Sequence, residues 1–103
     1  MNPFLNLKNQ CLILANQTNE GMIVLEFEDY ILTIYNRYSL VNCSDVLELT
    51  NRKVTKINIF DGDIFELIFD NEMKFIVYID DNSYNSPEAM QLLGPNNLIA
   101  VWQ

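Results

Sequence analysis

Histidine is absent from the 103 residues, glycine and proline occur three times each, and six Lys and Arg stand against fourteen Asp and Glu. Each shortage narrows the available chemistry. Without imidazole no side chain has an ordinary titration near neutral pH, so general acid or base work would fall to carboxylates. With glycine so scarce there is no phosphate-cradling loop, and Ser39, Ser44, Ser83 and Ser86 have neither a G-x-S-x-G turn nor a base to activate them. Cys11 and Cys43 form no C-x-x-C pair and have no histidine companions, so they make no zinc set and read as two buried free thiols. No apolar run is long enough to cross a membrane: residues 11–15 and 98–102 reach five each. With no basic segment leading into an apolar stretch at the start, the expected location is the cytoplasm, and the N-x-S/T triplets at Asn16 and Asn42 are chance matches.

What is present is apolar surface and negative charge. Half the residues are hydrophobic and 12% are aromatic, enough to offset the entropy of ordering a chain of this length, which predicts one folded domain over 1–103. A net charge of −8 repels nucleic acid backbones and anionic membranes, so neither is an expected partner. The field favours a basic protein.

The chain resembles itself at an offset of 42. Leu7, Asn9, Asn16, Leu25, Phe27 and Ile34 fall on Leu49, Asn51, Asn58, Leu67, Phe69 and Ile76, identical pair by pair, with Leu12 on Val54, Ile23 on Phe65 and Ile31 on Met73. An internal repeat, 7–36 and 49–78, accounts for this. Each unit reads as three extended segments: residues 10–15, 22–27 and 31–36 in the first, 54–60, 64–69 and 73–79 in the second, the latter rich in Ile, Val, Phe and Tyr and separated by Asp61-Gly62-Asp63 and Asp70-Asn71-Glu72. A two-residue hairpin would want glycine where Tyr30 and Glu72 stand, which points to longer turns. With Asn71-Glu72 as the loop, Phe65, Leu67 and Phe69 would share a face with Lys74, Ile76 and Tyr78, and both faces would be substantially apolar.

A helix is signalled over residues 87–93. Ser86 can cap it, Pro87 suits its first position, Glu88 sits at its positive end, Gly94-Pro95 stops it, and Ala89, Leu92 and Leu93 share one side. Residues 98–102 read as a final, inner strand, and residues 43–49 are either extended or capped by Asp45 with Glu48. The predicted fold is mainly β with some helix: an antiparallel sheet of two meander-like units forming a sandwich or half-barrel, one short helix near 87–93 and a last strand near 98–102.

The densest titratable group is Asp61, Asp63, Glu66, Asp70, Glu72, Asp80 and Asp81. It lacks the cleft a glycosidase needs and the twelve-residue ordered loop of a calcium site, so no enzyme activity, metal or cofactor is expected. Tyrosines beside acids, Tyr78 and Tyr84 above all, suit the gripping of a basic surface by hydrogen bonds and cation–π contact, while Phe4, Phe27, Phe60, Phe65, Phe69 and Phe75 read as core. These seven acids and two tyrosines are the candidate partner-binding residues.

From Leu67 onward the run LIFDNEMKFIVYIDDNSYNSPEAMQLLGPNNLIAVW, about a third of the chain, carries an F-D-N turn at 69–71, the S-P-E-A start at 86–89 and a V-W ending at 101–102. In these it resembles small acidic bacterial proteins, some of them immunity proteins of contact-dependent or other polymorphic toxin systems, although glycine would be more usual at Glu72 and Ser86. The resemblance implies a cytoplasmic inhibitor that binds a cognate toxin domain, basic and such as a nuclease, and occludes its working surface. Two other readings fit the same composition: a homodimeric structural or adaptor protein whose apolar sheet face is closed by a second copy, and a nucleic-acid mimic that blocks a DNA- or RNA-binding protein.

Overall fold

The computed structural model describes residues 2–103, which form nine antiparallel strands in two sheets. β1 (Leu12–Gln17), β2 (Ile23–Phe27) and β3 (Ile31–Ile34) make one meander; β5 (Val54–Phe60), β6 (Ile64–Phe69) and β7 (Lys74–Tyr78) make the other. Between them lies β4 (Tyr38–Val41), and β8 (Met90–Gly94) and β9 (Leu98–Trp102) follow. The five-stranded sheet runs β1-β2-β3-β8-β9 and the four-stranded sheet β4-β7-β6-β5, open at their edges, so the architecture is a sandwich and not a barrel.

The two meanders match closely in register. Leu12 faces Phe27 and Leu14 faces Glu26 across a bulge; 42 places on, Val54 faces Phe69 and Lys56 faces Ile68 across another. Both meanders also begin with a 3-10 turn, Pro3–Leu7 and Val46–Leu49, the second closed by the Asp45 and Glu48 capping box. They are stitched where they meet: the Leu12 amide donates to the Arg52 carbonyl at 2.9 Å, and the Val54 amide to the Gln10 carbonyl at 2.9 Å.

The ungapped offset fails at the third strand. Leu25 faces Leu32, whereas its counterpart Leu67 faces Phe75, one place beyond the repeat spacing. The connection 70–73 holds one residue more than 28–30, and Glu72 takes φ 65° there. Ile34 therefore corresponds to Val77 and not to Ile76. The same extra residue reverses the expected facing: Phe65, Leu67 and Phe69 line up with Phe75 and Val77 inside, and Lys74, Ile76 and Tyr78 point outward.

The fourth strand of each unit crosses over. β4, which follows β3, pairs with β7 of the other meander, and β8, which follows β7, pairs with β3. This exchange closes the core, where Phe65, Phe69, Phe75, Leu25, Leu32, Ile34 and Leu92 are all fully buried.

The expected helix over 87–93 does not form. Met90–Gly94 is β8, with Met90 and Leu92 buried and Leu93 facing out, a period of two. A seven-residue helix is marginal on its own, while this segment gains ladders on both sides, from β3 and β9. Ser86, instead of capping a helix, donates its hydroxyl to the Glu88 carbonyl at 2.7 Å. The strand at 98–102 forms as expected but lies at a sheet edge, not inside. Cys11 and Cys43 are free and half-buried, not buried. Burial, and then the nearby Glu48 and Asp45 charges, push the Cys43 thiol above its ordinary pKa.

Candidate partner-binding face

Strand alternation decides what the four-stranded sheet shows to solvent. β6 turns Phe65, Leu67 and Phe69 inward, so Ile64, Glu66 and Ile68 face out, and the neighbouring strands add Asn58, Phe60, Lys74, Ile76 and Tyr78. Phe60, expected in the core, is 50% exposed, because it pairs with outward Ile64 at the end of an edge strand.

Glu66 stands near the middle of this face and is only 7% exposed. Ile64 and Ile68 flank it two places away along β6, and Ile76 lies opposite on β7. Its carboxylate accepts from Asn58 Nδ2 at 2.8 Å and lies 3.7 Å from Lys74 Nζ. A charge among aliphatic side chains is tolerable because both partners reach it.

Tyr78 is held from several directions. Its hydroxyl lies 3.0 Å from Ser39 Oγ, its ring carries the Arg37 guanidinium 4.3 Å from the centroid, and its carbonyl accepts from buried Asn36 Nδ2 at 2.8 Å. Arg37 Nε donates to Ser83 Oγ at 3.1 Å, and that hydroxyl donates to Asp80 Oδ1 at 2.6 Å. The Ser83 bond, with help from backbone amides and Arg37, holds the Asp80 carboxyl below the usual carboxylate range. An aromatic ring, a guanidinium and a carboxylate are thus fixed in place, which lowers the ordering cost of a contact.

The other candidate residues divide between the two ends of the sheet. Asp61 and Asp63 lie in the β5–β6 turn, and Asp63 meets the end of β7, since its carbonyl accepts from the Ile79 amide at 2.9 Å. Asp80 and Asp81 follow directly, so four carboxylates gather at this end. Tyr84 is here too, not on the Tyr78 face: it packs against the core beside Trp102 and lines a recess of about 370 Å³ with Asp61 and Asp81. Burial and the Asp81 charge raise its phenol above its ordinary pKa. Asp70 and Glu72 sit at the opposite end, about 17 Å away along β6. Asp70 is 4.0 Å from Arg52, and the Glu72 carbonyl accepts from Asn42 Nδ2. The acids therefore rim a face and do not converge.

Among the described residues no three Cys, Asp or Glu side chains are placed to hold a metal ion, and no helix is long and apolar enough to cross a membrane. Arg37, Asn58, Phe60 and Lys74 belong to the face although no sequence motif marks them. The signal that could have found it is the I-x-E-x-I spacing of 64–68, which must lie opposite F-x-L-x-F of 65–69. Comparison with protein-family models, curated proteins and solved structures finds no match for this chain.

Proposed function

We propose that this protein is a binding module that neutralises a basic partner, most specifically an immunity protein that occludes the working surface of a cognate toxin domain such as a nuclease. The observation that carries the reading is the outward face of the four-stranded sheet, where a fixed Tyr78–Arg37 stack, exposed Phe60 and three isoleucines surround Glu66 between two acidic ends. Aromatic residues and arginine dominate the energetics of protein contacts, and carboxylates at the rim raise the rate of encounter with a cationic surface. Occlusion requires no chemistry from the chain. The resemblance of 67–102 to toxin immunity proteins and the net charge of −8 point the same way.

The test is co-expression with the basic protein encoded beside this chain's gene, read by growth rescue and by co-purification. Tyr78→Ala and Phe60→Ala should weaken the complex at least tenfold with little salt dependence of the loss. Reversing charge at Asp61, Asp63, Asp80 and Asp81 should slow association and flatten its salt sensitivity. Absence of rescue and of a complex, or a complex indifferent to all six changes, refutes the reading.

A further inference from the structure

The recess of about 370 Å³ beside Tyr84 is walled by the chain's single tryptophan, Trp102, with Ile79 and Gly62 between the aromatic side and the acids Asp61 and Asp81. The aromatic wall is fixed. Trp102 packs edge-on against Phe4 at 5.3 Å and tilted against Phe65 at 5.7 Å, both buried, and Tyr84 rests on the same core. Asp61 and Asp81 are exposed, and no ion pair among the described residues reaches them, since Arg52 lies by Asp70 and Lys74 by Glu66. Burial and then the Asp81 charge raise the Tyr84 phenol, which places that carboxylate within electrostatic reach of the ring. A neighbouring groove of about 420 Å³ shares Trp102 but is lined by no charged side chain. The negative potential is therefore focused in one of the two hollows.

We propose that this recess receives the guanidinium of one arginine side chain from the basic partner. The inference rests on reading the protein as a binder of a basic protein, and it names the group that the partner inserts. Two aromatic rings beside two unpaired carboxylates suit a planar, weakly hydrated guanidinium better than a compact lysine ammonium. Guanidinium stacks on indole and phenol faces, and its fork of donors matches a carboxylate two bonds at a time. The volume stands near the lower end of the roughly 300–1,000 Å³ range of ligand pockets, which suits a single side chain. The recess also continues the proposed face: outward Phe60 runs directly into Asp61, and outward Tyr78 into Ile79. A partner seated on Tyr78 has the recess at its margin.

The probe is Nα-acetyl-arginine methylamide, compared at equal ionic strength with its lysine and citrulline counterparts. Trp102 fluorescence reports binding, and NMR shifts of the Gly62 and Tyr84 amides and the Trp102 indole place it. The arginine probe should bind saturably, with a dissociation constant on the order of 10 mM and at least fivefold tighter than the lysine probe. Neutral citrulline should leave the signals unmoved. Asp61→Asn with Asp81→Asn should weaken the arginine probe at least fivefold and, both residues being exposed, should keep the melting transition. Asp70→Asn with Glu72→Gln, at the far end of the sheet, should leave binding within twofold. No saturable response up to about 50 mM, equal binding of the lysine or citrulline probe, or an equal loss from the far-end pair overturns the assignment. The probe needs no partner, so an unoccupied recess with intact growth rescue refutes the arginine site alone, and absent rescue with a working recess refutes the proposed function alone.

Discussion

Asn9 and Asn51, 42 positions apart, hold the same place in the two meanders: both have left-handed backbone, φ 72° and 70°, and each donates its amide across to the other unit. The Asn9 amide meets the Val54 carbonyl at 2.7 Å, and the Asn51 amide meets the Leu12 carbonyl at 2.7 Å. This reciprocal pair joins the sheets at the corner where β1 and β5 begin. Asparagine tolerates positive φ better than other side chains, which explains the residue type at both positions.

Replacing either asparagine by alanine should therefore cost about 1 kcal/mol, and replacement by glycine should cost little, because strain and not a side-chain bond is at stake. Urea unfolding of the four single variants checks this. Alanine variants as stable as wild type, or a large difference between the two sites, would contradict it.

Gly94 closes β8 beneath the ring of Tyr30: a Cβ there would lie 2.7 Å from two ring carbons. Gly94→Ala should destabilise by about 1–3 kcal/mol through this overlap. In a Tyr30→Ala background the same change should cost markedly less, and a double-mutant cycle measures the difference.

Lys74→Met leaves Glu66 nearly buried with Asn58 as its remaining partner, at an expected cost of about 1–2 kcal/mol, discounted because Lys74 is itself a third exposed. Adding Glu66→Leu should recover most of that loss, since an apolar pair suits the surrounding isoleucines. Denaturation midpoints give the order. Partner capture should fall in the double variant even as stability returns.

Asp80 supplies the pH prediction. Its folded pKa is depressed, chiefly by the Ser83 hydroxyl, so the favourable linkage is fully present above the ordinary aspartate value and is lost as pH falls through the lowered folded value. Carboxyl carbon titration by NMR should place the Asp80 midpoint below that of a model aspartate. Ser83→Ala should move it upward, and an unmoved midpoint would assign the depression to Arg37 instead.

Much of the strand content is legible locally. Phe65, Leu67 and Phe69 alternate with Ile64, Glu66 and Ile68, and Asp45 with Glu48 announces the turn that both side chains then close. Around 87–93 the local signals mislead, because Ser86, Pro87 and Gly94-Pro95 are sound helix punctuation in a segment whose neighbours in space offer more hydrogen bonds than a helix of two turns could. The candidate residues are legible as a composition but not as a place. Tyr78 and Tyr84 are six residues apart, yet one points out from the sheet and the other packs beside Trp102.

The amino-acid order by itself set the negative field, the poverty of catalytic groups, the alternation that makes strands and the near repetition of one meander, since each depends on residue type and short-range spacing. Only the folded chain decided that β4 and β8 exchange between meanders, that one added residue at 70–73 turns Tyr78 outward, and that β9 ends a sheet instead of filling it. Those outcomes depend on which strands compete for each edge, and that competition is settled by pairing between residues dozens of positions apart.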